Sequence, residues 1–121
     1  MGGAIYDLED RTLAFAKRIL DMTQALPKDS TNLHFIDQVV RSSTSVGANY
    51  REANDALGKK YFIHRVRISR KECKETTYWL KLILYNNPKL EKRMEGITGE
   101  SIELTKILSA IIKSAQNKKD E

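Results

Sequence analysis

Residues 36–57, IDQVVRSSTSVGANYREANDAL, and residues 62–83, FIHRVRISRKECKETTYWLKLI, decide the architecture. In the first, Ile36, Val40, Ser43, Gly47, Tyr50, Asn54 and Leu57 recur by four and three residues. In the second, Phe62, Val66, Ser69, Cys73, Thr76, Leu80 and Ile83 do the same. That spacing is the seam of a helix packed against a helix. Ser43, Gly47, Ser69 and Cys73 stand in mid-seam, where a bundle ordinarily carries leucine. Small side chains there let two helix axes come close. Gly58 lies between the runs as a helix stop, and so short a connection implies antiparallel neighbours.

Working outward, Leu8, Thr12, Phe15, Ile19, Met22 and Leu26 form an earlier stripe, closed by Pro27. Asp7, Glu9 and Asp10 favour the positive end of its macrodipole. Ser30, Thr31 or Asn32 can cap the next helix. Asn86-Asn87-Pro88 is a strong break. After it, Leu90, Met94, Ile97, Leu104, Leu108, Ile111 and Ala115 form a last stripe, with Gly96 and Gly99 suggesting a kink or split between 96 and 101. The expectation is one all-α domain over 1–121, an antiparallel up-down-up-down four-helix bundle with helices at about 5–25, 33–57, 60–85 and 89–116. The tail from Asn117 has no apolar anchor and is expected to fray.

The composition fits this reading. The chain has 121 residues, 40% hydrophobic and 31% charged, with only 2 prolines. No apolar run approaches the ~20 residues a membrane span needs, and Met1 to Asp10 lacks the apolar core of a secretory signal. A single cysteine, Cys73, excludes an intramolecular disulfide, and a reducing cytoplasm is the default. The net charge of +5 is compatible with anionic partners.

Arg41 to Ala53, RSSTSVGANYREA, and Lys71 to Leu80, KECKETTYWL, resemble two signatures of a family. It is the small bacterial four-helix bundle proteins named for intervening sequences in large-subunit ribosomal RNA genes. The resemblance spans residues 5 to 115. It implies a left-handed up-down-up-down bundle and a ring-shaped homopentamer. One relative, the accessory protein of diversity-generating retroelements, is a basic pentameric barrel that binds nucleic acid and a reverse transcriptase. Gly47 and Ala48 depart from the bulkier or proline-like residues of many members.

Three sets of residues are candidates for function. The first is a basic stripe: Lys60, His64, Arg67, Lys71, Lys74, Tyr78 and Lys81 share one helix face, and Arg70 extends it. Residues 59–85 hold eight basic and two acidic side chains, a balance of +6 that exceeds the chain's own +5. Such a face can hold RNA or DNA phosphates with release of counterions, and Tyr78 can stack on a base. The plainer reading is a solvated face, or one paired with acids of a neighbouring subunit.

The second set is polar: Arg41, Ser43, Asn49, Arg51 and Glu52, with Glu72 and Glu75. Antiparallel pairing about Gly58 brings 43–49 near 69–75, so Arg41 or Arg51 can meet Glu72 or Glu75. This reads as a network fixing helix register. The sharper alternative, an acid/base site on the paired glutamates, lacks a nucleophile or metal set. No Glu-x-x-His motif occurs, His34 and His64 lie on different helices, and no metal or cofactor is expected.

The third set is aromatic. Tyr6, Tyr50, Tyr61, Tyr78, Trp79 and Tyr85 cannot all fit one narrow core, and Val46, Ile63, Ile68 and Ile112 fall outside the seams. Val46, Tyr50, Tyr78 and Trp79 are candidates for an oligomer contact, with a broad intrachain core as the alternative. The function expected from all this is a non-enzymatic homo-oligomer associated with nucleic acid, or else an adaptor that recognises another protein by helix packing.

Overall fold

The computed structural model describes residues 7–118. The expected start of the first helix at Ile5, the placement of Tyr6 and the tail beyond Lys118 lie outside them. Asp7 accepts the Asp10 backbone N–H at 3.1 Å and so caps α1, Leu8–Thr23. That bond holds the Asp7 carboxyl below its ordinary range. The expected stripe from Leu8 to Leu26 is buried throughout. Lys28 Nζ then donates to the carbonyls of Thr23 and Leu26 at 2.8 and 2.7 Å, satisfying acceptors that the helix end leaves open.

Helix α2, Ser30–Asn54, begins earlier than expected because Asp29 is the cap, accepting Asn32 N–H at 2.8 Å. It also ends earlier, and Leu57 is 95% exposed. Gly58 does not close α2. With φ of 98° it stands immediately before α3, Lys59–Asn86, in a conformation that suits glycine. A 3-10 turn, Pro88–Leu90, leads into α4, Glu91–Asn117, which runs unbroken through Gly96 and Gly99. All four helices are α, with no strand among the described residues.

Neighbouring helices pair with opposite chain directions. Arg65 meets Asn49, Ser69 meets Val46 and Thr76 meets Ser42 between α3 and α2. Arg70 meets Ser109 and Thr77 meets Ser101 between α3 and α4. Helix α1 closes the arrangement, touching α2 through Glu9 and Asn54 and α4 through Arg11 and Glu100. The most extensive contact is α2 against α3.

The α3 seam is buried from Val66 to Ile83 as expected, with Ile63 more buried than Phe62. The α2 seam is rotated from the expected one. Its buried residues are Asn32, Val39, Ser42, Ser43, Val46 and Ala53, whereas Ile36, Val40, Gly47 and Tyr50 are half-buried and Asn54 and Leu57 exposed. Both phases of α2 step by three and four, and α1 and α3 cover it from two sides, so spacing alone does not select the phase. Val46, Ile63 and Ile112, expected outside the seams, are core residues. In α4, Ser101 and Ile112 join the buried set, while Ile111 and Ala115, with Leu90 of the preceding turn, pack half-buried on the core.

The small residues serve different neighbours. Ser69 Oγ donates to the Val46 carbonyl at 2.7 Å, and Thr76 Oγ1 to Ser42 Oγ at 2.8 Å, drawing α2 and α3 together. Cys73 instead faces α4, its Sγ 3.3 Å from the Ser101 carbonyl, and burial pushes its thiol pKa up. Gly47 faces α1: a Cβ there would sit 2.8 Å from Thr12 Oγ1. Thr12 cannot yield easily, since it is buried and its hydroxyl bonds the Leu8 carbonyl at 2.9 Å.

The two glycines therefore have opposite expected responses to alanine. Gly99 has open space around its Cβ position, so Gly99→Ala should stabilise by roughly 0.5–1 kcal/mol through helix propensity. Gly47→Ala gains the same propensity but overpacks Thr12, and should destabilise by about 1–3 kcal/mol. Denaturant melts of both variants check the signs. A stabilised Gly47→Ala would contradict the close α1–α2 approach.

Candidate functional site

Each turn of α3 divides its side chains by direction. Val66, Ser69, Cys73, Thr76 and Leu80 point into the core. Glu72, Glu75 and Trp79 lean toward α2, and Arg70 and Thr77 toward α4, where Arg70 reaches Ser109 Oγ at 3.3 Å. What remains faces out: Lys60, His64, Arg67, Lys71, Lys74, Tyr78 and Lys81 are all exposed. Lys60, Arg67, Lys71, Lys74 and Lys81 make no ion pair among the described residues. At one end the stripe borders a cavity of about 410 Å³ lined by Lys59, Lys60, Ile63, His64, Arg67 and Gln116. Arg70, expected to extend the stripe, is half-buried and turned to α4.

The expected polar network separates into distinct clusters. Arg41 is its centre. It donates to Glu72 Oε1 at 3.1 Å, to Glu75, and to Gln38 Oε1 at 3.1 Å. Glu75 Oε2 also accepts the Trp79 indole N–H at 2.8 Å. Both carboxylates are thus committed to Arg41, an arrangement suited to holding helices and an aromatic ring. Arg51 pairs with Glu9 of α1 at 3.2 Å, not with Glu72 or Glu75. Asn49 accepts from Arg65 at 3.1 Å, and Arg65 in turn donates to Tyr61 Oη at 2.9 Å and lies 5.3 Å from the Tyr61 ring centroid. The bond to Tyr61 pushes the Arg65 pKa further up. Among the described residues the Ser43 hydroxyl donates to the Val40 carbonyl alone, at 3.4 Å, and Glu52 is exposed. Among the described residues no three His, Cys, Asp or Glu side chains are grouped to hold a metal.

The aromatic set also divides. Val46 is fully buried inside the chain, so it cannot contact a second chain. Tyr50 and Trp79 are half-buried against the core, and only Tyr78 of the four interface candidates is exposed, at 58%. Trp79 sits within a cluster: Tyr78 is 5.3 Å away, His34 5.8 Å and Phe35 6.1 Å between ring centroids. His34 is therefore a packing partner of the only tryptophan.

Two further groupings escape the sequence. Arg11 bridges α1 to α4, donating from Nε to Glu100 Oε2 at 2.8 Å and also pairing with Glu103, and these carboxylates hold its charge firmly. Asn32 is fully buried, accepts from Asn86 and Asn87 at 3.1 and 2.8 Å, and donates to Asn87 Oδ1 at 3.1 Å. It fastens the start of α2 to the end of α3. The Asn-Asn pair was a visible signal, but as a helix break only.

Among the described residues, four helices, paired in opposite directions where α3 meets α2 and α4, with a row of cations on the outer face of α3, define a small all-helical protein. The chain belongs to the 23S rRNA-intervening sequence protein family, whose model matches residues 6–110. A crystal structure of a protein of unknown function from the S23 ribosomal protein family of Bacteroides thetaiotaomicron is similar, with a TM-score of 0.79 and 37% identity. The match covers 87% of this chain and 97% of that one. None of the curated proteins matches. No helix among the described residues is long and apolar enough to cross a membrane.

The link from Arg41 through Glu75 to Trp79 is testable by light. Glu75→Ala removes the acceptor of the indole N–H and should shift tryptophan emission to longer wavelength. The fold should lose no more than about 1 kcal/mol, because the Arg41 side chain is 46% exposed and water screens the pair. Emission identical to the parent protein would show that Glu75 does not hold the ring.

Proposed function

We propose that the protein is a non-enzymatic, homo-oligomeric module that binds the phosphates of RNA or DNA through the outer face of α3. The observation that carries this reading is the row Lys60, Arg67, Lys71, Lys74 and Lys81, exposed on one face and without acidic partners among the described residues. Cations so placed remain hydrated and available to exchange small counterions for a polyanion. A solvated face of ordinary composition mixes both signs; here the acids of α3 are drawn toward α2 by Arg41.

Assembly belongs to the same reading. Leu33 and Tyr85 are 50% and 85% exposed, and Leu13, Leu20 and Ile102 add further open apolar surface. A chain contact that covered these side chains would remove apolar area from water. A left-handed up-down-up-down protomer in a homopentameric ring is the form the family resemblance favours. The same apolar surface also supports the second reading, an adaptor that docks a different protein.

Charge reversal tests the phosphate surface. Arg67→Glu, Lys71→Glu and Lys74→Glu together should weaken nucleic-acid binding strongly and flatten its salt dependence, by up to ~2 in log–log slope for a single strand. The melting temperature should stay near that of the parent, since none of the three is buried. Unchanged affinity would reject this face. For assembly, light scattering at micromolar concentration should give a multiple of the 13.9 kDa chain mass, and a monomer would favour the adaptor reading.

A further inference from the structure

We infer that the surface is selective for unpaired bases: the aromatic pair Tyr78–Trp79 at one end of the stripe, with Tyr61–His64 at the other, makes it a site for single-stranded nucleic acid. This rests on the phosphate-binding reading above and adds to it the form of the ligand. Tyr78 occupies the stripe itself, one helical turn from Lys74 and one from Lys81. The residue is 58% exposed and stands between two ammonium-bearing side chains of the stripe. The ring has an aromatic neighbour. Trp79 meets it at 71° with centroids 5.3 Å apart, and Trp79 is itself fixed by Glu75, which Arg41 fixes in turn. Tyr78 is a braced platform with open surface.

The other end repeats the pattern. Tyr61 is 44% exposed and lies against His64, with centroids 6.3 Å apart and planes 30° from parallel. Its hydroxyl is held by Arg65, whose guanidinium also lies 5.3 Å from the Tyr61 ring centroid, so the station there is shared by His64 and Tyr61. His64 and Tyr78 are separated by 14 residues of continuous helix, or about 21 Å at 1.5 Å per residue. Between them run Arg67, Lys71 and Lys74. A strand stacked at 3.4 Å per nucleotide would place on the order of six nucleotides over that distance. Phosphates along a cation row with bases over aromatic rings is the arrangement by which single strands are held. A duplex offers the cations its phosphates but keeps its base faces stacked, so the two aromatic stations would gain nothing from it.

The one tryptophan supplies the readout. The probes are an oligothymidylate of about twelve nucleotides, an abasic strand of equal length, and a hairpin duplex of equal charge, each with a fluorescent end label, a length chosen to exceed the estimated footprint. The expected result is that oligothymidylate quenches Trp79 emission and binds roughly ten-fold or more tighter than the abasic strand. Tyr78→Ala should remove most of that advantage while weakening abasic binding far less, and the protein should stay folded at the assay temperature, since losing the Trp79 contact is a small cost to the fold. Equal binding of the thymidylate and abasic strands would overturn the inference and leave the phosphate reading standing. So would an unaltered preference in Tyr78→Ala. Tighter binding of the hairpin would overturn it as well. Absence of binding by all three probes at low salt would overturn both.

Discussion

The hydrogen bond from Ser69 Oγ to the Val46 carbonyl sets the constraint on which the other contacts rest. It joins a side chain of α3 to the backbone of α2, so the two axes must lie close enough for a serine to bridge them. A leucine at position 69 would hold them apart. The bond is buried, and a hydroxyl left without a partner there would cost about 1–3 kcal/mol. Apolar burial drives the helices together but tolerates sliding. The Ser69 bond and the Thr76–Ser42 bond do not, because a shift of one residue turns each donor away from its acceptor. At the bundle end, Asn32 does the same for the loop after α3, its amide bonded to Asp29, Asn86 and Asn87. Polar groups here specify register, and the surrounding valines, isoleucines and leucines supply most of the driving force.

Some of this was readable from spacing and some was not, for a geometric reason. The α1 stripe and the α3 seam each have a single apolar phase, so period and phase agree. On α2 the residues Ile36, Val40 and Tyr50 compete with Val39, Val46 and Ala53. Which set turns inward depends on how α1 and α3 embrace the helix. Gly47 illustrates the consequence: its lack of a side chain was legible, but the neighbour that requires it is Thr12. The pairing of Arg41 with Glu72 and Glu75 was legible because one short turn fixes the register of α2 on α3. Arg51 with Glu9 and Arg11 with Glu100 were not, since those contacts depend on the rotation of α1, which no local signal records. Val46 was misplaced for the same reason as the α2 seam. The exposure of the basic row was legible because it lies opposite an unambiguous core phase.

The two glutamates of α3 explain why the outer face carries one sign. They stand within the helix's basic run, yet both are held on the α2 side by Arg41, whose guanidinium reaches across from the neighbouring helix. The sequence balance of residues 59–85 is therefore sorted by direction: the acids lie at the α2 junction, Arg65 and Arg70 turn to α2 and α4, and Lys60, Arg67, Lys71, Lys74 and Lys81 face outward. The same sorting fixes Trp79, since the carboxylate that receives Arg41 also receives the indole N–H. Charge segregation and aromatic positioning thus share one residue, Glu75.

That segregation has an energetic consequence. Arg67 and Lys71 are four residues apart, and Lys71 and Lys74 three, so like charges face each other along successive turns. Each such pair opposes helix formation by roughly 0.2–0.5 kcal/mol at low salt. Screening over ~8–10 Å at physiological ionic strength softens this but acts little on neighbours one turn apart. Folding alone would favour placing a glutamate among these positions, as Glu100 and Glu103 are placed beside Arg11. The outer face of α3 forgoes that relief. A bound polyanion would restore it, since its phosphates would stand where the missing carboxylates would have been. Occupied and empty forms should then differ in stability as well as in charge, because a ligand that binds only the folded chain stabilises it.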